Sequence, residues 1–143
     1  MKNQRNSFLI IAATLNTIAA LLHLACIYFG APLFRFLGTE AMAQMYETGN
    51  LAHPIAACLI LATMLFIWAA YALSGAGLIR RLPLLRLALI TITSIYLARA
   101  LCFPFIKPYF SENSELFWYT SSSIVLIIGI FHLLGLKKAW ARL

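Results

Sequence analysis

The chain has 143 residues, 63% of them hydrophobic and only 10% charged, with a formal net charge of +7. Soluble domains are roughly 45–50% apolar and about 25% charged, so this composition excludes an ordinary water-soluble domain. It equally excludes a nucleic-acid module, because no polar basic domain accompanies the positive balance.

Four apolar segments follow in chain order, at 8–30, 51–73, 87–106 and 116–136. Each is near the roughly 20 residues that cross a hydrocarbon layer. The first is longer than the ~7–15 apolar residues of a secretory leader and reads as a retained span. The fold expectation is all-α: an integral membrane four-helix antiparallel bundle, forming a single domain over 1–143.

The connection after the first span, APLFRFLGTEAMAQMYETGN, carries its own helical pattern over 39–48. Thr39 suits an N-cap and Gly49 a C-terminal stop. Met42, Met45 and Tyr46 fall opposite Glu40, Gln44 and Glu47, the pattern of a short amphipathic helix on a membrane surface. The next connection, SGAGLIRRLPLLR, is short. Its glycines are expected to end the second helix and Pro83 to sit in the first turn of the third. Ala52 and Ala56 in the second span suggest a close-packing face, within one molecule or between copies.

Charge sets the expected orientation. Lys2, Arg5, Arg80, Arg81, Arg86, Lys137, Lys138 and Arg142 flank the ends that share one side, while Glu40, Glu47, Glu112 and Glu115 all fall on the other, with Arg35 and Lys107. By the positive-inside rule both termini are cytoplasmic and the protein is a multi-pass plasma (inner) membrane protein.

Polar residues can then be placed by depth. With a rise of about 1.5 Å per residue, His23 and Cys58 lie roughly 6 Å outward of the span centres and Arg99 roughly 4 Å, with Ser121, Ser122 and Ser123 level with them. Cys26, Cys102, Tyr119 and His53 come a turn or two higher. All four spans thus contribute to one outer-half layer, whereas Asn16 and His132 sit in the inner half without comparable company. An arginine inside hydrocarbon costs at least ~2.5–3.5 kcal/mol on insertion scales, and such residues usually face a cavity or a partner. The layer therefore suggests an outward-opening polar pocket with Arg99, His23, His53, Glu47, Glu115, Tyr119 and Ser122 as candidate ligand-binding residues, the two glutamates being expected partners of Arg99. The ordinary alternatives are an arginine snorkelling to the headgroups, serines that let helices approach, and a histidine at a helix start facing water.

No CxxC, HExxH, GxSxG or phosphate loop is present, and the chain has no aspartate. Small proton-coupled drug exporters resemble this chain in having four short spans, but they depend on a glutamate inside the first span, which has none here. No metal ligand set and no cofactor is expected. A His/Cys metal or haem site is a minor alternative: His23 and His53 differ by roughly 7–8 Å in depth, which suits one haem iron poorly. A Cys26–Cys102 disulfide is topologically permitted.

The functional expectation is a small membrane protein that binds or helps transport an anionic or amphipathic molecule, or a partner helix, with membrane lipid as its surroundings and no nucleic-acid partner. Homo-oligomers and membrane-protein partners are compatible with the alanine-rich face. The alternative is a small enzyme in which His23 moves a proton on a lipid-like substrate while Arg99 holds its anionic group.

Overall fold

A computed structural model of the chain describes residues 5–143. Lys2, one of the basic residues used for orientation, lies outside the described residues. All regular structure among them is helical: α1 (Ser7–Phe29), α2 (Ala31–Phe36), α3 (Glu40–Glu47), α4 (Ala52–Ala76), α5 (Leu85–Leu101), α6 (Phe103–Ile106) and α7 (Glu115–Ala139), with 3-10 turns at Lys107–Tyr109 and Trp140–Arg142. Three helices, α1, α4 and α7, are long and apolar enough to cross a membrane. A fourth crossing exists if α5 and the following Phe103–Tyr109 segment, bent by 66°, count as one span.

α1 and α4 form the tightest pair of long helices, and the reason is legible along α4. Its buried residues Cys58, Ala62, Leu65, Ala69, Ala72 and Ala76 recur at alternating four- and three-residue steps, the spacing of one helix face. Small side chains on that face let backbones approach where no hydrophobic driving force separates protein from lipid. Ala52 and Ala56, by contrast, are exposed. The packing stripe within the chain lies about a third to half a turn around α4 from the pair that the sequence suggested, at 3.6 residues per turn.

Glycines make the other close approaches. A Cβ on Gly135 would lie 2.5 Å from Leu9 Cγ, and one on Gly129 would lie 3.1 Å from both Tyr96 Cβ and Leu97 Cδ2. Gly135 therefore admits α1 against α7, and Gly129 admits α5. Asn6 locks this end: it caps α1 by accepting from Leu9 N–H at 3.5 Å, and its side-chain amide donates to Gly135 O at 2.7 Å. Its backbone N–H donates to Ala76 O at 3.4 Å. The start of α1 thus meets the ends of both α4 and α7.

Helix limits depart from the sequence reading where backbone chemistry overrides hydropathy. α4 continues through Gly75, whose missing side chain makes room for Leu9 and Leu89, and stops at Gly77 with a left-handed φ of 77°. α5 starts at Leu85 after a left-handed Leu84, so Pro83 precedes the helix rather than opening it. The expected 87–106 span ends early, at Leu101. Pro104 has no N–H to donate to the Ala100 carbonyl and its ring clashes there, which turns the chain at Cys102.

Opposite the Asn6 end, the two longer connections meet. Ser114 N–H donates to Gly38 O at 3.1 Å, and Thr39 and Asn113 form an isolated antiparallel bridge. α3 packs its fully buried Ala43 inward with Met42 and Tyr46 against the ends of α1 and α4. The Tyr46 hydroxyl donates to Ile27 O at 2.9 Å. Its ring occupies the space a side chain on Gly30 would need, 2.5 Å from the Cβ position. The helix covers one end of the long helices.

Candidate functional site

Arg99 is the centre of the candidate site. It stands in the last turn of α5, half-buried against α7, where its Nη1 donates to Ser122 Oγ at 3.1 Å and its Nη2 to Ser121 Oγ at 3.3 Å. The guanidinium carbon lies 5.1 Å from the centroid of the Trp118 ring. Trp118 and Ser122 are one turn apart, so a single face of α7 supplies both the ring and a hydroxyl. Trp118 is buried, and its indole N–H has no acceptor.

Chemically, among the described residues, the arrangement is a cation with neutral partners. Two hydroxyls and a π-face hold the guanidinium in place without neutralising it, and the fork keeps further N–H donors for an oxyanion. No Asp or Glu among the described residues forms an ion pair with it.

The expected glutamate partners are committed elsewhere. Glu47 takes Arg35 in a two-pronged pair at 2.5 and 2.7 Å, with Glu40 at 3.3 Å on the same guanidinium. That neighbour holds the Glu47 carboxyl below its ordinary value. Glu115 pairs with Lys107. Both glutamates found the nearest cation on their own end of the molecule, at short loop separation, rather than reaching down to α5.

The single polar layer also divides. His23 turns its Nδ1 to Ala19 O, one turn back on its own helix, at 2.7 Å. His53 is exposed near the start of α4. Tyr119 is exposed on α7, its ring edge-on to Phe103 with centroids 5.6 Å apart. Ser123 points its hydroxyl to Tyr119 O at 2.7 Å, away from Arg99. Cys58 joins Cys26 in one buried cluster where the two thiols interact. Cys102 is exposed at the α5–α6 bend, so the neighbour of Cys26 is Cys58, and all three cysteines are free. No three His, Cys, Asp or Glu residues among those described converge for a metal, which leaves the minor His/Cys reading without a ligand set. Equal depth on different helices did not translate into contact, because depth fixes height and not the direction a side chain leaves its helix.

A second polar centre was missed. Asn16, in α1, has its amide nitrogen 3.0 Å from His132 Nε2 of α7, and the Tyr96 hydroxyl of α5 donates to Asn16 Oδ1. Tyr96 stacks on the His132 ring at 5.5 Å, and Trp68 of α4 meets Tyr96 edge-on at 5.0 Å. Asn16 and His132 are fully buried, and His132 Nδ1 has no partner. The inner-half pair does have company, supplied by a tyrosine that hydropathy counts as apolar. The signal was the spacing of Ser122, Gly129, His132 and Gly135, four non-aliphatic residues along one face of α7.

Two surface grooves, of about 790 and 420 Å³, lie away from Arg99. The larger is lined by Arg81, Arg86 and neighbouring leucines, the smaller by Thr63 and apolar residues of α4. Comparison with known protein families, curated proteins and solved structures gives no match.

Proposed function

We propose that this chain is a small multi-pass inner-membrane protein that binds, or helps to move, an anionic or amphipathic molecule at Arg99. The observation that carries the reading is a guanidinium inside an apolar segment with two serines and an indole as its partners among the described residues. A cation kept at that cost normally has a functional occupant. In this reading α1, α4, α5 with its bent extension, and α7 form an antiparallel four-helix membrane bundle. Support comes from the meeting of the α1 start with the α4 and α7 ends. Both termini are cytoplasmic, following the basic residues gathered near Arg81, and α3 lies on the outer surface.

The enzyme alternative has less to stand on. Among the described residues His23 makes no ion pair with a carboxylate, and it spends a ring nitrogen on its own helix backbone. A general base needs both reach to a substrate proton and an orienting partner.

Arg99→Leu should insert and fold normally but lose the amphiphile that copurifies with the wild-type chain from native membrane, read by native mass spectrometry. Arg99→Lys should retain part of it, since the ammonium keeps the charge but not the planar fork. Full retention in both variants would reduce Arg99 to a snorkelling residue and remove the reading.

A further inference from the structure

The bend after Leu101 changes what Arg99 can meet. α5 has 17 residues, or about 25 Å at 1.5 Å per residue, short of the roughly 30 Å hydrocarbon layer. Arg99 is therefore in the final turn of a short helix, next to the point where the chain turns by 66°. At that level the chemistry on offer from the surroundings is the lipid headgroup. On either side of the bend and on the neighbouring α7, Leu101, Phe105 and Tyr119 are exposed apolar or amphipathic side chains, suited to acyl chains and the interface.

The donors around Arg99 are of the kind that suit a tetrahedral oxyanion. A carboxylate is satisfied by the guanidinium fork alone. Here the fork is held by two serine hydroxyls that accept from it, Ser121 passing its own proton to Trp118 O at 3.4 Å, and the indole it rests on holds a buried N–H with no acceptor. A buried donor left unmade is costly and calls for a partner. The guanidinium N–H groups not given to the serines and the indole N–H come from two helices, an arrangement that suits an anion with three or more oxygens better than one planar carboxylate already filled by the fork.

Resting on the anion-binding reading above, we propose that Arg99, Ser121, Ser122 and Trp118 form a site for the phosphate group of a membrane lipid that enters from the leaflet beside the α5–α6 bend. The phosphate oxygens take the free guanidinium N–H groups and the indole N–H, the serine hydroxyls hold the fork, and the tail stays in lipid along Leu101 and Tyr119.

The test uses the full chain in dodecyl maltoside micelles with three probes of matched chemistry: dodecyl phosphate, dodecanoate and inorganic phosphate. Dissociation constants are read by titration calorimetry at a pH where both amphiphiles are ionised. Dodecyl phosphate should bind at least about tenfold more tightly than either of the others, and Arg99→Leu should abolish that preference. Trp118→Phe, which keeps an aromatic ring but removes the N–H, should weaken dodecyl phosphate about three- to tenfold and leave dodecanoate unchanged. Should that variant misfold, Ser121→Ala with Ser122→Ala provides the second reading, with the same selective loss expected. Equal, Arg99-dependent binding of dodecanoate overturns the phosphate assignment while leaving anion binding standing. Inorganic phosphate binding as tightly as dodecyl phosphate overturns the lipid origin. Binding of all probes insensitive to Arg99→Leu overturns both readings together.

Discussion

Among single residues, the buried Asn16, Tyr96 and His132 show why a polar cluster is retained in an apolar interior. The Tyr96 hydroxyl donates its proton to Asn16 Oδ1, and the amide nitrogen faces His132. That orientation makes Nε2 the acceptor and leaves the imidazole proton on Nδ1, the atom without a partner. Each member is meaningful only with the other two, since removing one leaves buried groups unmade at about 1–3 kcal/mol each. Replacing all three by apolar residues removes the need instead. Asn16→Leu, Tyr96→Phe and His132→Leu should therefore each lower stability in detergent, by about 0.5–2 kcal/mol given the modest worth of such bonds in membranes. The triple variant should recover most of the loss, as read from thermal unfolding. Additive losses in the triple would mean that the three act independently and the network is incidental.

At the level of elements, the segments that hydropathy governs were legible and those that backbone chemistry governs were not. The approximate extents of α1, α4 and α7 follow from apolar runs bounded by Asn6, Gly77 and Ser114. The end of α5 was hidden because Phe103, Phe105 and Ile106 continue the apolar composition while Pro104 forbids the helix. α2 was hidden because APLFRF is too short to show a period. The partners of Arg99 were half legible: Ser122 lies one turn below Trp118 on α7, but the glutamates were matched by height alone. The α2–α3 arm shows what decided them. Arg35 at the end of α2 faces Glu40 and Glu47 at the two ends of α3, and the pair keeps the Glu47 carboxyl below its ordinary 4.5. A depressed carboxylate stabilises the folded arm fully above that value and loses the contribution as pH falls below it. All three side chains are exposed, so screening keeps the effect small. Amide protection factors across 31–48 should hold from pH 8 to 5 and drop below about pH 4, with Arg35→Gln removing the pH dependence. Loss already at pH 6, or none at pH 3, would take the clamp out of the arm's stability.

For the molecule as a whole, the number of crossings depends on one short helix. α1, α4 and α7 cross by length and composition, which alone would leave the termini on opposite sides. If α5 also crosses, they share a side. Two features favour crossing despite its length. In the lipid-phosphate proposal Arg99 at its end meets the headgroup layer, and a short span is accommodated by local thinning at a cost of fractions of a kcal/mol per Å. Charge agrees: Arg80 and Arg81 precede α5 and Arg86 lies in its first turn, Lys137 and Lys138 lie in the last turn of α7 and Arg142 follows it, and the Arg81 guanidinium reaches the Arg142 carbonyl at 3.4 Å. Basic residues drawn to one end of the molecule are expected on one side of one membrane. Reporter fusions should then place both termini in the cytoplasm. A membrane-impermeant maleimide added from outside should label exposed Cys102 and spare buried Cys26 and Cys58. Labelling of Cys102 only after the membrane is opened, with a C-terminus outside, would leave α5 on the cytoplasmic side as a helix that does not cross. Arg99 would then face the inner leaflet, and the lipid-phosphate site would have to be sought there.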